Sequence, residues 1–279
     1  MNLLEKTLEL SRLYSLKPDH SKGQNFLVEE EFFDTAISAA KIKPADTILE
    51  VGPGLGFLTE KLAKISQKVI AVELDKKLAD WLRTKLITRK INNVEVINDD
   101  ILKIKDDFFA GLNYKIVANL PYNITSIFLR KFLTAKNKPQ SLVLMLQKEV
   151  AERIVAIVPQ MSILALSVQF YAEAEIISVV PAEAFWPRPK VNSALIKIVL
   201  KPLAALPQIN HDLFWRLVKI GYSAKRKMLK NNLGNGLHLS PLAVAKNLAE
   251  IGYNAKARAQ ELSLEDWLNL FAKFSSFML

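Results

Sequence analysis

Five consecutive residues, Asn119-Leu120-Pro121-Tyr122-Asn123, stand where an apolar, β-branched run, Tyr114–Ala118, stops. Their types suit one chemical problem. An aromatic exocyclic amine is a poor nucleophile because its lone pair is delocalised into the ring. Asn119 offers a neutral side-chain acceptor. Pro121 fixes its backbone and lacks an N–H, so nearby carbonyls, that of Leu120 among them, can face a ligand. Two acceptors on the amine hydrogens favour a pyramidal nitrogen whose lone pair points at an electrophile. Tyr122 offers a flat face for a base. An electrophile that is already activated, such as a sulfonium, requires neither metal nor strong base, so positioning would supply most of the acceleration. The plainer alternative is a proline-ended strand with a packed tyrosine.

Upstream, the run Thr47–Val51 leads into Gly52-Pro53-Gly54-Leu55-Gly56. Glycines at a strand-to-helix turn let the backbone pass close beside a ligand, and Gly52 and Gly54 are the candidates. The next run ends in Val72-Glu73-Leu74-Asp75, with Glu73 twenty-one residues after Gly52. A carboxylate there can accept both hydroxyls of a ribose. The third run ends in Asn98-Asp99-Asp100, where an acid could accept a hydrogen bond from an adenine amino group. Each acid alone is as readily a helix cap. Glu73 and Asp100 flanking one glycine loop point to a nucleoside site. NAD and S-adenosylmethionine both carry adenosine. The turn lacks the full Gly-x-Gly-x-x-Gly spacing, which weighs against a dinucleotide, and the Asn119 segment points to a methyl donor.

These residues need a sheet to bring them together. The runs Thr47–Val51, Lys68–Glu73, Val94–Asn98, Tyr114–Ala118 and Ser141–Gln147 alternate with segments of helical spacing at Phe57–Ile65, Lys76–Arg89 and Thr125–Leu133. That alternation predicts a parallel sheet covered on both faces. Two later runs, Glu175–Val180 and Ala194–Leu200, lie too close together for a crossover helix and should pair antiparallel. Beyond Lys201 only helices are expected, at about His211–Tyr222, Pro241–Ile251 and Leu264–Phe274. The expected division is residues 1–204 and 205–279.

Composition narrows the classes. Of 279 residues, half are hydrophobic and only 9 are Gly and 12 Pro, which excludes a disordered or collagenous chain. With no cysteine there is no disulfide, thiolate metal site or cysteine nucleophile, and His20, His211 and His238 have no metal-ligand spacing. No metal is expected. Charges interrupt the apolar N-terminal stretch, unlike a signal peptide. The window Ile154–Ala172 carries no charge but contains Pro159, Gln160 and Gln169. It is expected to be a helix end followed by a buried helix, in a soluble, cytoplasmic protein.

At this point the sequence resembles the ribosomal RNA adenine N6-dimethyltransferases, the small-subunit (16S) branch above all, over about residues 20–270. The matching segments include Gly23-Gln-Asn-Phe-Leu27, Glu50-Val-Gly-Pro-Gly54, Val72-Glu-Leu-Asp75, Asn119-Leu-Pro-Tyr-Asn123, Gln147-Lys-Glu-Val-Ala-Glu-Arg153, Phe185-Trp-Pro-Arg-Pro-Lys-Val191, Lys225-Arg-Lys-Met-Leu-Lys230 and Arg258-Ala-Gln-Glu-Leu-Ser263. The resemblance implies a Rossmann-like, seven-stranded class I methyltransferase sheet (α/β) with its last strand antiparallel, followed by a small C-terminal all-helical domain. It implies S-adenosylmethionine contacts from Asn25, Leu27, Gly52, Gly54, Glu73, Asp100 and Asn119. It also implies a slot for the target adenine between Tyr122 and the loop of Phe185, so a stacked base would have to leave its stack. Two departures stand out: Ile163 and Leu164 replace a usual Tyr-Gly, and Ala118 replaces a usual Gly.

The net charge is 38 − 28 = +10. Residues 201–279 hold 11 basic and 5 acidic residues, hence +6 of that excess. A basic run usually marks a solvated face or compensates a helix dipole. With an RNA substrate implied, Lys225, Arg226, Lys227 and Lys230 are expected to contact phosphates. Lys22, Arg188 and Lys190 would flank the pocket mouth. The expectation is a monomer that dimethylates adenine N6 in 16S rRNA on an assembling small subunit. The alternatives are a large-subunit enzyme of the macrolide-resistance type, a non-catalytic nucleic-acid-binding factor on the same fold and, remotely, a nicotinamide oxidoreductase.

Overall fold

A computed structural model describes residues 2–13 and 24–278. The five apolar runs form strands β2 (Thr47–Val51), β3 (Lys68–Glu73), β4 (Val94–Asn98), β5 (Tyr114–Asn119) and β6 (Ser141–Gln147), and neighbours among them pair in parallel. With β7 (Ala172–Val180) and β9 (Ser193–Leu200) they make a seven-stranded sheet of order β4-β3-β2-β5-β6-β9-β7. The strand β9 runs antiparallel to both neighbours, and the expected β7–β9 pairing is present. The central strands are apolar almost throughout because both faces are covered. Ile48, Leu49, Ile116, Leu142 and Leu144 are fully buried.

Helices α3 (Phe57–Ala63), α4 (Lys76–Thr88) and α5 (Thr125–Thr134) link the parallel strands. The local code is visible at their ends. Asp75 caps α4, its Oδ1 accepting from the amides of Lys77 (2.9 Å) and Leu78 (3.4 Å). Here the capping alternative holds. The chain begins with α1 (Leu3–Leu13), β1 (Phe26–Leu27) and α2 (Glu30–Ala40). The strand β1 pairs antiparallel with β8 (Phe185–Trp186), so the Gln-Asn-Phe-Leu segment and the Phe-Trp-Pro loop form one small ribbon. Strand order reverses between β2 and β5. In open α/β sheets the crevice at such a switch point, outside the carboxyl ends of the strands, takes the ligand.

The chain divides into two compact units, one of residues 1–152 and 172–200, the other of 153–171 and 201–279. The helical unit thus also takes in residues 153–171, upstream of the 204/205 division expected from sequence. The cause is α7 (Ile163–Tyr171), which buries Phe170 against Phe214 and Trp215, with ring centroids 5.2 and 5.3 Å apart. The charge-free window is therefore α6 (Lys148–Ile154) ending and a packed helix beginning. Ile163 and Leu164 open that helix. Among the described residues, no helix is long and apolar enough to cross a membrane.

The helical unit holds α8 (His211–Gly221), α9 (Leu229–Leu237), α10 (Pro241–Glu250) and α11 (Leu264–Phe274). Ser240 with Pro241, and Ser263 with Asp266, cap α10 and α11 as their types dictate. Helix α9 was not expected, because Asn231, Asn232, Gly234 and Gly236 are poor helix formers. Packing overrides propensity here. A Cβ at Gly236 would lie 2.3 Å from Ile220 Cγ2, so only glycine allows α9 this close to α8. Gly236→Ala should gain about 1 kcal/mol in helix propensity and lose more, about 1–3 kcal/mol, to overpacking. A lower melting temperature is expected; a higher one would contradict this packing.

Candidate active site

The crevice at the switch point is a cleft with about 900 Å³ of empty space, part of it open to solvent. It is lined by Asn25 and Leu27 from the ribbon, Gly52 and Gly54 from the glycine loop, Glu73 from the tip of β3, and Asn119 to Tyr122 from the tip of β5. Four of the sequence segments expected at one site therefore meet in one place. Gly52 has φ 68°, and a Cβ on it would sit 3.7 Å from the carbonyl oxygen of Asn119. A larger residue would be strained there and would narrow the gap between the two strand tips.

The tip of β5 is held from several sides. Asn119 Nδ2 donates to the Asn25 carbonyl (3.3 Å), which turns its Oδ1 the other way, and no described residue donates to that oxygen. The Leu120 amide donates to Met145 O (3.0 Å), anchoring the tip to β6. Pro121 O accepts from the Ile124 amide and Tyr122 O from Thr125 Oγ1. Among the described residues nothing donates to Leu120 O. The tip thus keeps two acceptors in reserve, one from a side chain and one from the main chain. Tyr122 is fixed by a 2.8 Å hydrogen bond between its hydroxyl and Ser193 Oγ. Burial pushes its phenol up, so it stays neutral.

Two buried acids flank the glycine loop. Glu73 accepts from the Gly54 amide through Oε2 (3.1 Å) and from the Asp75 amide through Oε1 (2.9 Å). Each oxygen keeps a lone pair for a ligand hydroxyl. Burial raises its carboxyl above the usual range. Glu50, the last-but-one residue of β2, lines the same cleft and is 2% exposed. Burial, with the charge of Glu73 adding to it, pushes its carboxyl up to about 8, and its Oε2 has no hydrogen-bond partner among the described residues.

Two residues expected at the site, Asp100 and Phe185, are not among those lining the cleft. Asp100 Oδ1 accepts from the Leu102 amide (2.9 Å), so it caps the turn that follows β4. Phe185 is 3% exposed and packed in the core cluster with Leu27 and Ala184. Its neighbour Trp186 stacks on Phe26, with centroids 6.4 Å apart. Lys225, Arg226 and Lys227 occupy the turn between α8 and α9, and Lys230 the first turn of α9. Basic charge at a helix start does not compensate a dipole, so that alternative fails for Lys230. Lys225, Arg226 and Lys227 are exposed, as is Lys190, while Arg188 pairs with Glu183. Lys22 lies outside the described residues.

Sequence reasoning missed Glu50, although an acid one residue before the end of a strand entering a glycine loop is a signal in itself. It also missed Ser193, for which seventy-one residues of separation leave no local cue.

A doubly wound sheet with a cleft at its switch point, and a strand tip presenting neutral acceptors, define a Rossmann-like methyltransferase. The profile of the family Ribosomal RNA adenine dimethylase matches residues 16–276. The chain belongs to that family. It is 42% identical over 276 residues to Ribosomal RNA small subunit methyltransferase A of Dehalococcoides mccartyi, covering 98% of this chain and 94% of the relative. It is 37% identical over 268 residues to the protein of the same name from Clostridioides difficile, covering 94% and 92%. Among solved structures, a dimethyladenosine transferase from Plasmodium falciparum matches with TM-score 0.79 at 27% identity, covering 90% of this chain and 98% of that one. A 23S rRNA methyltransferase, ErmE, matches with TM-score 0.71 at 26% identity, covering 90% and 99%.

Two predictions follow from the acids and the tyrosine. Glu50 binds its proton more tightly folded (about 8) than unfolded (4.5), so its contribution to stability is full below pH 4.5 and lost as pH rises to about 8. In denaturant titrations the ligand-free wild type should therefore lose stability relative to Glu50→Gln across that window; parallel curves would contradict a buried, protonated Glu50. Ser193→Ala should lower kcat severalfold by loosening Tyr122, with the melting temperature lowered by only a few degrees, as expected for one lost hydrogen bond of about 1 kcal/mol. Unchanged kcat would show that the Tyr122 anchor is dispensable.

Proposed function

We propose that this protein transfers methyl groups from S-adenosylmethionine to the N6 atoms of adenines in 16S ribosomal RNA, twice on each base, during small-subunit assembly. The observation that carries the reading is the Asn119 tip: an amide fixed by its nitrogen, with its oxygen and the Leu120 carbonyl unclaimed, beside a cleft suited to adenosine. The names of the relatives at 42% and 37% identity support the small-subunit substrate.

The cleft suits this methyl donor on two counts. Gly52, at φ 68°, holds a loop conformation that a side chain would strain, and Glu50 presents a buried, unpartnered oxygen that a cationic group would satisfy. When bound, S-adenosylmethionine supplies a methyl group on a positively charged sulfur. Glu73 would accept its ribose hydroxyls, and Glu50 would face its cationic end and ionise there. Asn25, Leu27, Gly52 and Gly54 would wall the cleft. Asn119 Oδ1 and Leu120 O would each accept one hydrogen of the adenine amine, concentrating its lone pair on the side of the methyl group. Tyr122, pinned by Ser193, would support the ring. The amine becomes acidic only after alkylation, so its proton can leave to water without a dedicated base. A second round requires that the same two acceptors tolerate the monomethylated amine, which keeps one hydrogen. This is a demand on space rather than on new chemistry.

The basic turn Lys225–Lys227, with Lys230, would hold phosphates of the RNA. Lys190 and Arg188 would contribute at the mouth of the cleft, Arg188 after leaving Glu183. The similarity to a 23S rRNA methyltransferase gives the second reading its basis. Mass spectrometry of 16S and 23S rRNA after incubation with the protein and S-adenosylmethionine separates the two. Dimethyladenosine in 16S alone is expected, and modification of 23S alone would reverse the assignment. Asn119→Ala should reduce turnover by at least about a hundredfold, the cost of removing one preorganised group that stabilises a reacting centre, with the circular dichroism spectrum unchanged. Full activity would refute the amide's role. Neutralising Lys225, Arg226, Lys227 and Lys230 together should weaken RNA binding and make its dependence on salt shallower; an unchanged slope would remove this run from the interface.

A further inference from the structure

The glycine loop is gripped from behind as well as from the cleft. Gly54 gives its amide to Glu73 Oε2 at 3.1 Å. The next residue, Leu55, gives its carbonyl to two donors from α4, Lys85 Nζ at 3.0 Å and Trp81 Nε1 at 3.4 Å. Gly54 and Leu55 both line the cleft. Lys85 and Trp81 line a second cavity that shares Phe57 with it.

Lys85 is unusual in where it puts its charge. A lysine that merely covers apolar surface sends its ammonium out to water. Lys85 is 9% exposed. Its Nζ lies 3.4 Å from Glu60 Oε1 and 4.8 Å from the centroid of the Phe57 ring. Burying an ammonium costs free energy unless its donors are satisfied. Burial lowers its proton affinity, and the charge of Glu60 works against that. The groups around it are a loop carbonyl that takes its hydrogen bond, a carboxylate on α3 at ion-pair distance and an aromatic face. Of these, only the carbonyl belongs to the loop against which a ligand must lie.

We propose that Lys85 is a positioning residue for the methyl donor. It holds the Leu55 carbonyl, and with it the glycine loop, in the conformation that presents the Gly54 amide to Glu73 and leaves the cleft open. This rests on the reading that the cleft takes S-adenosylmethionine. Without the ammonium, the Leu55 peptide can rotate toward water. The Gly54–Glu73 hydrogen bond then no longer fixes the acid, and the donor must reorder both on binding. The effect falls on donor affinity and leaves the chemistry at Asn119 untouched.

The test compares the full-length wild type with Lys85→Met, which keeps the apolar stem, Lys85→Arg, which keeps a charged donor, and Trp81→Phe, which keeps the ring but removes the second donor. Calorimetry gives Kd for S-adenosylmethionine, and steady-state kinetics on small-subunit RNA gives kcat and both KM values. Lys85→Met should weaken donor binding on the order of tenfold, the worth of one hydrogen bond from a charged group. The donor KM should rise in parallel, with kcat at saturating donor and the RNA KM unchanged. Lys85→Arg should recover most of the loss, and Trp81→Phe should shift Kd in the same direction by less. A Lys85→Met protein with unchanged Kd, however much its melting temperature falls, reduces Lys85 to a structural role and overturns the proposal. So does a loss confined to kcat. If Lys85→Met fails to fold, Lys85→Gln, which keeps a polar head on a shorter stem, takes its place, and an unchanged Kd there overturns it. A wild type that binds no S-adenosylmethionine overturns the cofactor reading and this inference with it. A wild type that binds beside an unaffected Lys85→Met overturns this inference alone.

Discussion

The hydrogen bond from Asn119 Nδ2 to the carbonyl of Asn25 decides which way one amide points. An asparagine free to rotate would present a donor as readily as an acceptor, and a donor would repel the amine hydrogens that the proposed mechanism gives it to hold. Spending the NH₂ on the ribbon leaves only oxygen for the cleft. That single constraint explains why two segments ninety-four residues apart must be brought together. It also explains why β1 is paired with β8 instead of lying loose over the cleft. The ribbon's position fixes the Asn25 carbonyl, and the carbonyl fixes the amide.

Around this point the fold acts as a set of clamps on strand ends. The leucine amide of the tip is held by β6, the tyrosine by the first residue of β9, and the glycine loop by the acid of β3 and two side chains of α4. A catalyst that works by positioning needs this more than it needs reactive groups. The charged residues in the cleft are accordingly acids buried close together, with carboxyls pushed upward. On the proposed reading a cationic ligand would favour their ionised forms, which would give the ligand-free and the liganded protein different responses to pH.

Much of this was legible in the sequence, and the reasons differ from element to element. The five parallel strands are continuous apolar runs bounded by polar residues, and that pattern has few other meanings once helical segments separate them. The carboxyl-end residues Gly52, Glu73 and Asn119 follow from the strand ends, and the structure brings them to one cleft. Asp100 shows where sequence runs out: an acid after a strand serves a turn as readily as a ligand, and the turn it serves here is visible only in the geometry of the Leu102 amide. The burial of Phe185 was not legible, because one aromatic of the Phe-Trp pair faces inward when β8 pairs with β1, and spacing alone does not say which. Helix α9 was hidden by its own glycines, which weaken a helix in isolation and permit this one by letting it approach Ile220. The grouping of α7 with the helical unit depends on Phe170 meeting Phe214 and Trp215, contacts between segments far apart in the chain.

The most direct measurement of the central claim is a crystal structure of the protein with S-adenosylhomocysteine and N6-methyladenosine bound together. The account predicts the purine over Tyr122, its amine nitrogen within hydrogen-bond distance, about 3 Å, of Asn119 Oδ1 or Leu120 O, and the Asn119–Asn25 bond intact. A purine bound with its amine away from the tip of β5, or an Asn119 amide turned to present nitrogen to the base, would contradict it.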